Sequence, residues 1–123
     1  MLAGGLSPER GSPVEIFFKN NKLAKVLNSD ALLRKEYGTL AQAIKNRLAT
    51  LDAVTCLSDV PTTPPERRHL LKGDLAGSYA VDLQHPWRLV FCPADDPPPT
   101  KPEGGHDLKK ITSILILQIV DYH

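Results

Sequence analysis

The stretch that decides the fold is residues 111–123, I-T-S-I-L-I-L-Q-I-V-D-Y-H. Ile, Leu and Val fill it almost without interruption up to Val120, and it then stops in Asp121-Tyr122-His123. A β-branched run of this kind reads as one strand, buried on both faces in the middle of a sheet. The polar triplet then lies where that strand leaves the sheet. Carboxylate, phenol and imidazole side by side are ingredients for proton transfer. The plainer alternative is a frayed terminus that happens to be polar.

Working outward, 123 residues is the length of one domain with a modest core. The formal charge of +1 supplies no overall basic field, so a nucleic-acid site has to rest on local clustering of cations. Cys56 and Cys92 lack metal-type spacing, and the expectation is two buried free thiols in a reducing cytoplasm. The longest apolar run, residues 114–117, is far too short to span a bilayer, so no membrane association is expected. Residues 1–13 carry Gly4, Gly5, Pro8, Gly11 and Pro13 with few apolar side chains, and are expected to be a flexible leader. Residues 14–123 then form a single domain.

Within that domain, Glu15-Ile16-Phe17-Phe18 reads as a first strand, and Asn20-Asn21 as its exit. Ser29 or Asn28 can cap a helix that begins near Asp30 and ends at Gly38, a suitable C′ glycine. Thr39-x-x-Gln42 matches a capping box for a second helix. There Leu40, Ile44, Leu48 and Leu51 recur at helical spacing and form one apolar stripe. The two helices make a hairpin lying on a sheet. Residues 53–60 add a helical turn before Pro61, and the proline-rich 61–66 segment is an exposed loop. Residues 93–110, rich in Pro, Gly and acidic side chains, read as a long, extended, mobile excursion. His85 and His106 are taken as loop histidines without chemistry.

Residues 78–83 and 87–91 alternate as two strands joined by Gln84-His85-Pro86, a hairpin. Strand neighbours point to opposite faces. Tyr79, Val81 and Leu83 therefore share the core side with Trp87, Leu89 and Phe91, under the helical stripe. Arg88 points the other way, onto the face the helices leave open, where it is either a site residue or a partner of Asp82 across the hairpin. Just before the hairpin, Arg67-Arg68-His69-x-x-Lys72 puts four potential cations within six positions.

The order of elements is that of an α+β domain, with two N-terminal helices packed on one face of a small, mostly antiparallel curved sheet. The strings His69-Leu70-Leu71-Lys72-Gly73-Asp74, Gly77-Ser78-Tyr79, Trp87-Arg88-Leu89-Val90-Phe91 and Asp121-Tyr122-His123 resemble, in order and spacing, the HigB branch of the RelE/ParE toxin superfamily. The resemblance runs from about residue 15 to the end, although the 93–110 segment is longer than a minimal hairpin connection in that superfamily. It implies the RelE/ParE-like fold and a cytoplasmic toxin of a type II toxin–antitoxin pair. Proteins of this kind enter the ribosomal A site and cut messenger RNA as metal-independent endoribonucleases, with no cofactor. Their partner is a HigA-like helix-turn-helix antitoxin, held in a hetero-oligomer.

Cleavage through the ribose 2′-OH needs a base, an acid for the 5′-oxygen, and cations for the charge on the phosphorane. The matching positions offer Lys72 and Arg88 for charge, with Arg suited to bidentate phosphate contact. His69 and His123 are the acid–base candidates. Asp121 orients or charges a histidine, and Tyr122 stacks on a base or donates a proton. The terminal α-carboxylate beside His123 favours its imidazolium form, which tilts His123 toward acid and His69 toward base. Arg67 and Arg68 fit general RNA electrostatics. A regular strand puts Asp121 and His123 on one face and Tyr122 on the other. Two other functions stay open: a ParE-like inhibitor that binds DNA gyrase, and a degenerate, non-catalytic antitoxin-binding module.

Overall fold

The computed structural model describes residues 13–121. The elements run β1 (Glu15–Phe18), α1 (Asn21–Leu27), α2 (Asp30–Tyr37), α3 (Ala41–Ala53), β2 (His69–Leu70), β3 (Tyr79–Asp82), β4 (Trp87–Pro93) and β5 (Ser113–Asp121). The sheet has five strands in the order β1-β5-β4-β3-β2. All pairings are antiparallel except β1 with β5, which run parallel, Glu15 opposite Ser113 through Phe18 opposite Ile116. A parallel pair needs a long crossover, and here the helices and the whole β2–β4 meander supply it.

Three helices, rather than two, precede the hairpin. Asn20 caps α1 by accepting from the Leu23 N–H at 2.8 Å. The sequence gives this seven-residue helix little periodicity, so its cap is the main local signal for it. Ser29, not Asn28, caps α2, accepting from Leu32 N–H, while Asn28 ends α1. Gly38 stops α2 at φ +55°, a conformation a Cβ disfavours. The Thr39–Gln42 capping box does not form. Thr39 lies inside a short 3₁₀ turn, and Gln42 bonds Asn46 one turn on. The 3₁₀ turn feeds straight into α3, with the Ala41 N–H bonded to Gly38 O, so Thr39 is not at the N-cap position the box requires.

Leu40, Ile44 and Leu51 of the predicted stripe are buried, with Leu48 half-buried. They pack with Leu33 of α2 against Tyr79, Val81, Leu89 and Phe91, and against Ile114 and Ile116 of β5. The sheet face under the helices is thus the main core. The opposite face holds a small cluster of Leu71, Ala80 and Val90, flanked by Leu75, Leu117 and Val120. β5 is an interior strand with neighbours on both sides, while β4 is the central one. Its Ile114 and Ile116 are fully buried on the helix side, whereas Leu115 and Leu117 on the other face are only half-covered. The expectation of burial on both faces fails there, because among the described residues only a small apolar cluster, and no helical layer, packs over the second face.

The 93–110 segment is anchored rather than extended. Thr100 bridges His106, Lys101 N–H bonds Gly105 O, and Asp107 N–H bonds Pro99 O. Ser113 Oγ donates to Asp95 at 3.3 Å, and Leu108 packs on the core. Cys56 and Cys92 are free and half-buried, not fully buried. No helix among the described residues is long and apolar enough to cross a membrane.

Candidate functional site

The pairing registers fix what shares the open face. His69 is opposite Ala80, which is opposite Val90. One row over, Asp82 is opposite Arg88, and Arg88 is opposite Val120. Asp82 N–H bonds Glu66 O, which brings Arg67 alongside Asp82. His69, Arg67, Asp82 and Arg88 therefore project from the face the helices leave open. At the usual rise and strand spacing, His69 and Arg88 are roughly 12 Å apart at the backbone, within joint reach of one dinucleotide.

Asp82 is the hub of this patch. Its Oδ2 accepts from Arg67 Nε at 2.5 Å, and its Oδ1 lies 3.6 Å from Arg88 Nε. The Arg88 and Asp82 side chains are each 26% exposed, so this ion pair is half-sheltered from screening. The cross-hairpin partner of Arg88 expected as one alternative is thus present. One carboxylate thus faces two guanidinium groups.

His69 Nδ1 lies 2.6 Å from the Arg67 carbonyl oxygen. A carbonyl only accepts, so Nδ1 carries the proton and the neutral ring keeps its lone pair on Nε2. That tautomer leaves Nε2 able to take a proton from a ligand.

The remaining candidates lie elsewhere. Lys72 is exposed and follows β2 in extended conformation, three positions beyond His69 and away from the Asp82 row. Along the strand direction it lies about five residue rises, roughly 16 Å, from Arg88, and it is two strands across. Arg68 alternates with Arg67 and turns inward, its Nε donating to Val60 O at 3.0 Å. Burial lowers its pKa, with the nearby Tyr79 opposing that shift. Arg68 ties the 60–68 loop to the domain and is not part of an exposed basic patch. Asp121 is opposite Trp87, one position beyond the Arg88–Val120 pair, so strand alternation assigns it to the helix side of the sheet. Trp87 itself is half-buried against the core. Tyr122 and His123 lie outside the described residues.

His106, read from sequence as inert, has a partner. Its Nδ1 is 2.8 Å from Tyr79 Oη, and the rings are 5.8 Å apart. Tyr79 stacks on Phe91 in turn. Burial raises the Tyr79 phenol, an effect partly offset by Arg68. The contact pins the long loop to β3 and leaves the open-face patch untouched. Its only sequence signal was a histidine inside a loop otherwise lacking anchors. Asp82 is the residue that sequence reading undervalued; parity with Arg88 across the hairpin was its signal. Among the described residues, no group of three or more His, Cys, Asp and Glu side chains is arranged to hold a metal ion.

No protein-family profile matches the chain, and no curated protein does. Among solved structures, the chain is similar to the YoeB dimer from Staphylococcus aureus, at 19% identity and a TM-score of 0.49, over 91% of this chain and 99% of that one.

Proposed function

We propose that this chain is the toxin of a type II toxin–antitoxin pair, a metal-independent endoribonuclease that cuts messenger RNA in the ribosomal A site. The observation that supports this most is the joint projection of Arg67, Arg88 and His69 from one uncovered sheet face, next to the end of β5. Two guanidinium groups and an imidazole with a free Nε2 are what phosphodiester transesterification asks of a protein.

In this reading His69 Nε2 takes the proton of the ribose 2′-OH, which attacks the adjacent phosphorus. Arg88 holds the non-bridging oxygens as negative charge develops, with Arg67 beside it. His123 returns a proton to the departing 5′-oxygen. Tyr122 stacks on a neighbouring base, and Lys72 meets the next phosphate. The products are a 2′,3′-cyclic phosphate and a 5′-hydroxyl. The neutralising partner in this reading is a HigA-like helix-turn-helix antitoxin, and the site of action is cytoplasmic.

The test is to induce the protein in cells and map messenger 5′ ends for wild type, Arg88→Ala and His123→Ala. New 5′-hydroxyl ends inside coding regions, lost in both variants, are expected. Growth arrest with intact messages and altered DNA supercoiling would sink the nuclease reading in favour of a ParE-like gyrase inhibitor. No phenotype at all would leave a degenerate antitoxin-binding module.

A further inference from the structure

Asp82 is held by its backbone and its side chain alike. Its N–H donates to Glu66 O at 2.8 Å, and its carbonyl oxygen accepts from Arg47 Nε of α3 at 2.7 Å. Its Oδ2 accepts from Arg67 Nε, which fixes the plane of the carboxylate. Its Oδ1, by contrast, is buried and accepts no hydrogen bond among the described residues. That oxygen lies 3.6 Å from Arg88 Nε, within ion-pairing range but beyond an N–H···O hydrogen bond.

A buried carboxylate oxygen without a hydrogen bond is costly, and native structures seldom keep one without a use. The hairpin register sets Asp82 directly opposite Arg88, so a closer contact is within reach of both side chains. Instead Oδ1 acts on Arg88 by charge and forms no hydrogen bond with it. We propose that Asp82 is a positioning residue: its fixed carboxylate aims the Arg88 guanidinium and, as a resident anion, competes with the phosphate of single-stranded RNA for it. The inference rests on the nuclease reading above, in which Arg88 meets the phosphate.

The carboxylate then has two opposed consequences. A standing negative charge beside Arg88 weakens its hold on the ground-state phosphate, because like charges in a half-sheltered site repel. The same charge keeps Arg88 in one orientation, and preorganised cations are what stabilise the phosphorane. Asp82 therefore lowers affinity and raises rate. Holding substrate and transition state equally tightly would leave the chemical step no faster.

Two measurements on the full chain test this. The first is binding of a single-stranded 2′-O-methyl oligoribonucleotide, which cannot be cleaved, followed by fluorescence anisotropy across a salt series. Asp82→Asn should bind it about 10-fold more tightly than wild type, with a steeper salt dependence. In an Arg88→Ala background the same substitution should change affinity less than about 2-fold, since the carboxylate acts through Arg88. Asp82→Glu, which keeps the charge, should stay within about 3-fold of wild type.

The second is single-turnover cleavage of messenger on programmed ribosomes, with the protein in excess. Asp82→Asn should lower the half-saturating concentration about 10-fold yet slow the maximal rate about 10-fold. A side chain that only supported the fold would weaken binding and rate together. Circular dichroism melting checks each variant, and Asp82→Ser, uncharged and smaller, takes the place of the amide if that variant does not fold. Unchanged or weaker oligonucleotide binding in Asp82→Asn would overturn the proposal, as would tightening that persists in the Arg88→Ala background. A maximal rate unchanged or raised would overturn it too. If the wild type cuts nothing, the nuclease reading falls, and the oligonucleotide series decides by itself whether Asp82 governs Arg88 toward phosphate.

Discussion

The two faces of the sheet are built from the same strands yet do opposite things. Under the helices, Phe91, Leu89, Ile114 and Ile116 are fully buried and no charged side chain is. On the other face, an apolar cluster of three buried residues supports a row in which Arg67, Asp82 and Arg88 meet. Strand alternation makes this possible, since Arg88 sits between Trp87 and Leu89 in sequence but faces away from both. The lesson is that one face carries the stability and so frees the other to hold like charges side by side.

Substitutions on each face should separate these roles. The largest effect belongs to the covered face: Phe91→Ala should lower unfolding stability by about 3–5 kcal/mol, seen as a shifted denaturant midpoint. A loss under about 1 kcal/mol would mean the core does not centre there. On the open face, Asp82→Ala should cost only about 1 kcal/mol, and Arg88→Ala less than that, because these side chains stay partly solvated. If Arg88→Ala unfolded the protein, the division between faces would be wrong and the cleavage test above would lose its meaning. His106→Ala should cost about 1 kcal/mol by freeing the Tyr79 hydroxyl, and should speed amide exchange across residues 95–110. Unchanged exchange there would show that the loop is held by its own turn alone.

The smallest effect is the dependence on alkaline pH. Burial raises the Tyr79 phenol above its ordinary 10.0. A group raised in the folded state contributes stability that is fully present below its unfolded pKa and is lost as pH rises through the folded value. Thermal stability should therefore fall above about pH 10, and Tyr79→Phe should flatten that fall while costing its hydrogen bond at neutral pH. An equally steep decline in the variant would assign it to other groups, such as Tyr37, whose phenol burial also raises.

Much of this was legible because local periodicity carried it. The stripe Leu40, Ile44, Leu48 and Leu51, the hairpin, and the parity that sends Arg88 away from Trp87 all follow from repeats of 3.6 and 2. Helix α1 was less legible, because seven residues give too little period. The capping box misled, since the motif says nothing about whether a preceding turn moves the helix start past it. The anchored loop escaped reading altogether. Its hold on the domain is a contact between positions 27 residues apart, His106 with Tyr79.

By itself, then, the sequence determined the α+β class, the apolar faces of α3 and the hairpin, and which residue types were on hand for phosphate chemistry. Tertiary structure decided which of those residues meet. It joined β1 to β5 in parallel, turned Arg68 inward, set Lys72 well away from Arg88, and put Asp82 between two arginines. The reason is physical: alternation assigns each side chain a face from its neighbours alone, but strand register brings distant segments to the same row, and no local pattern encodes it.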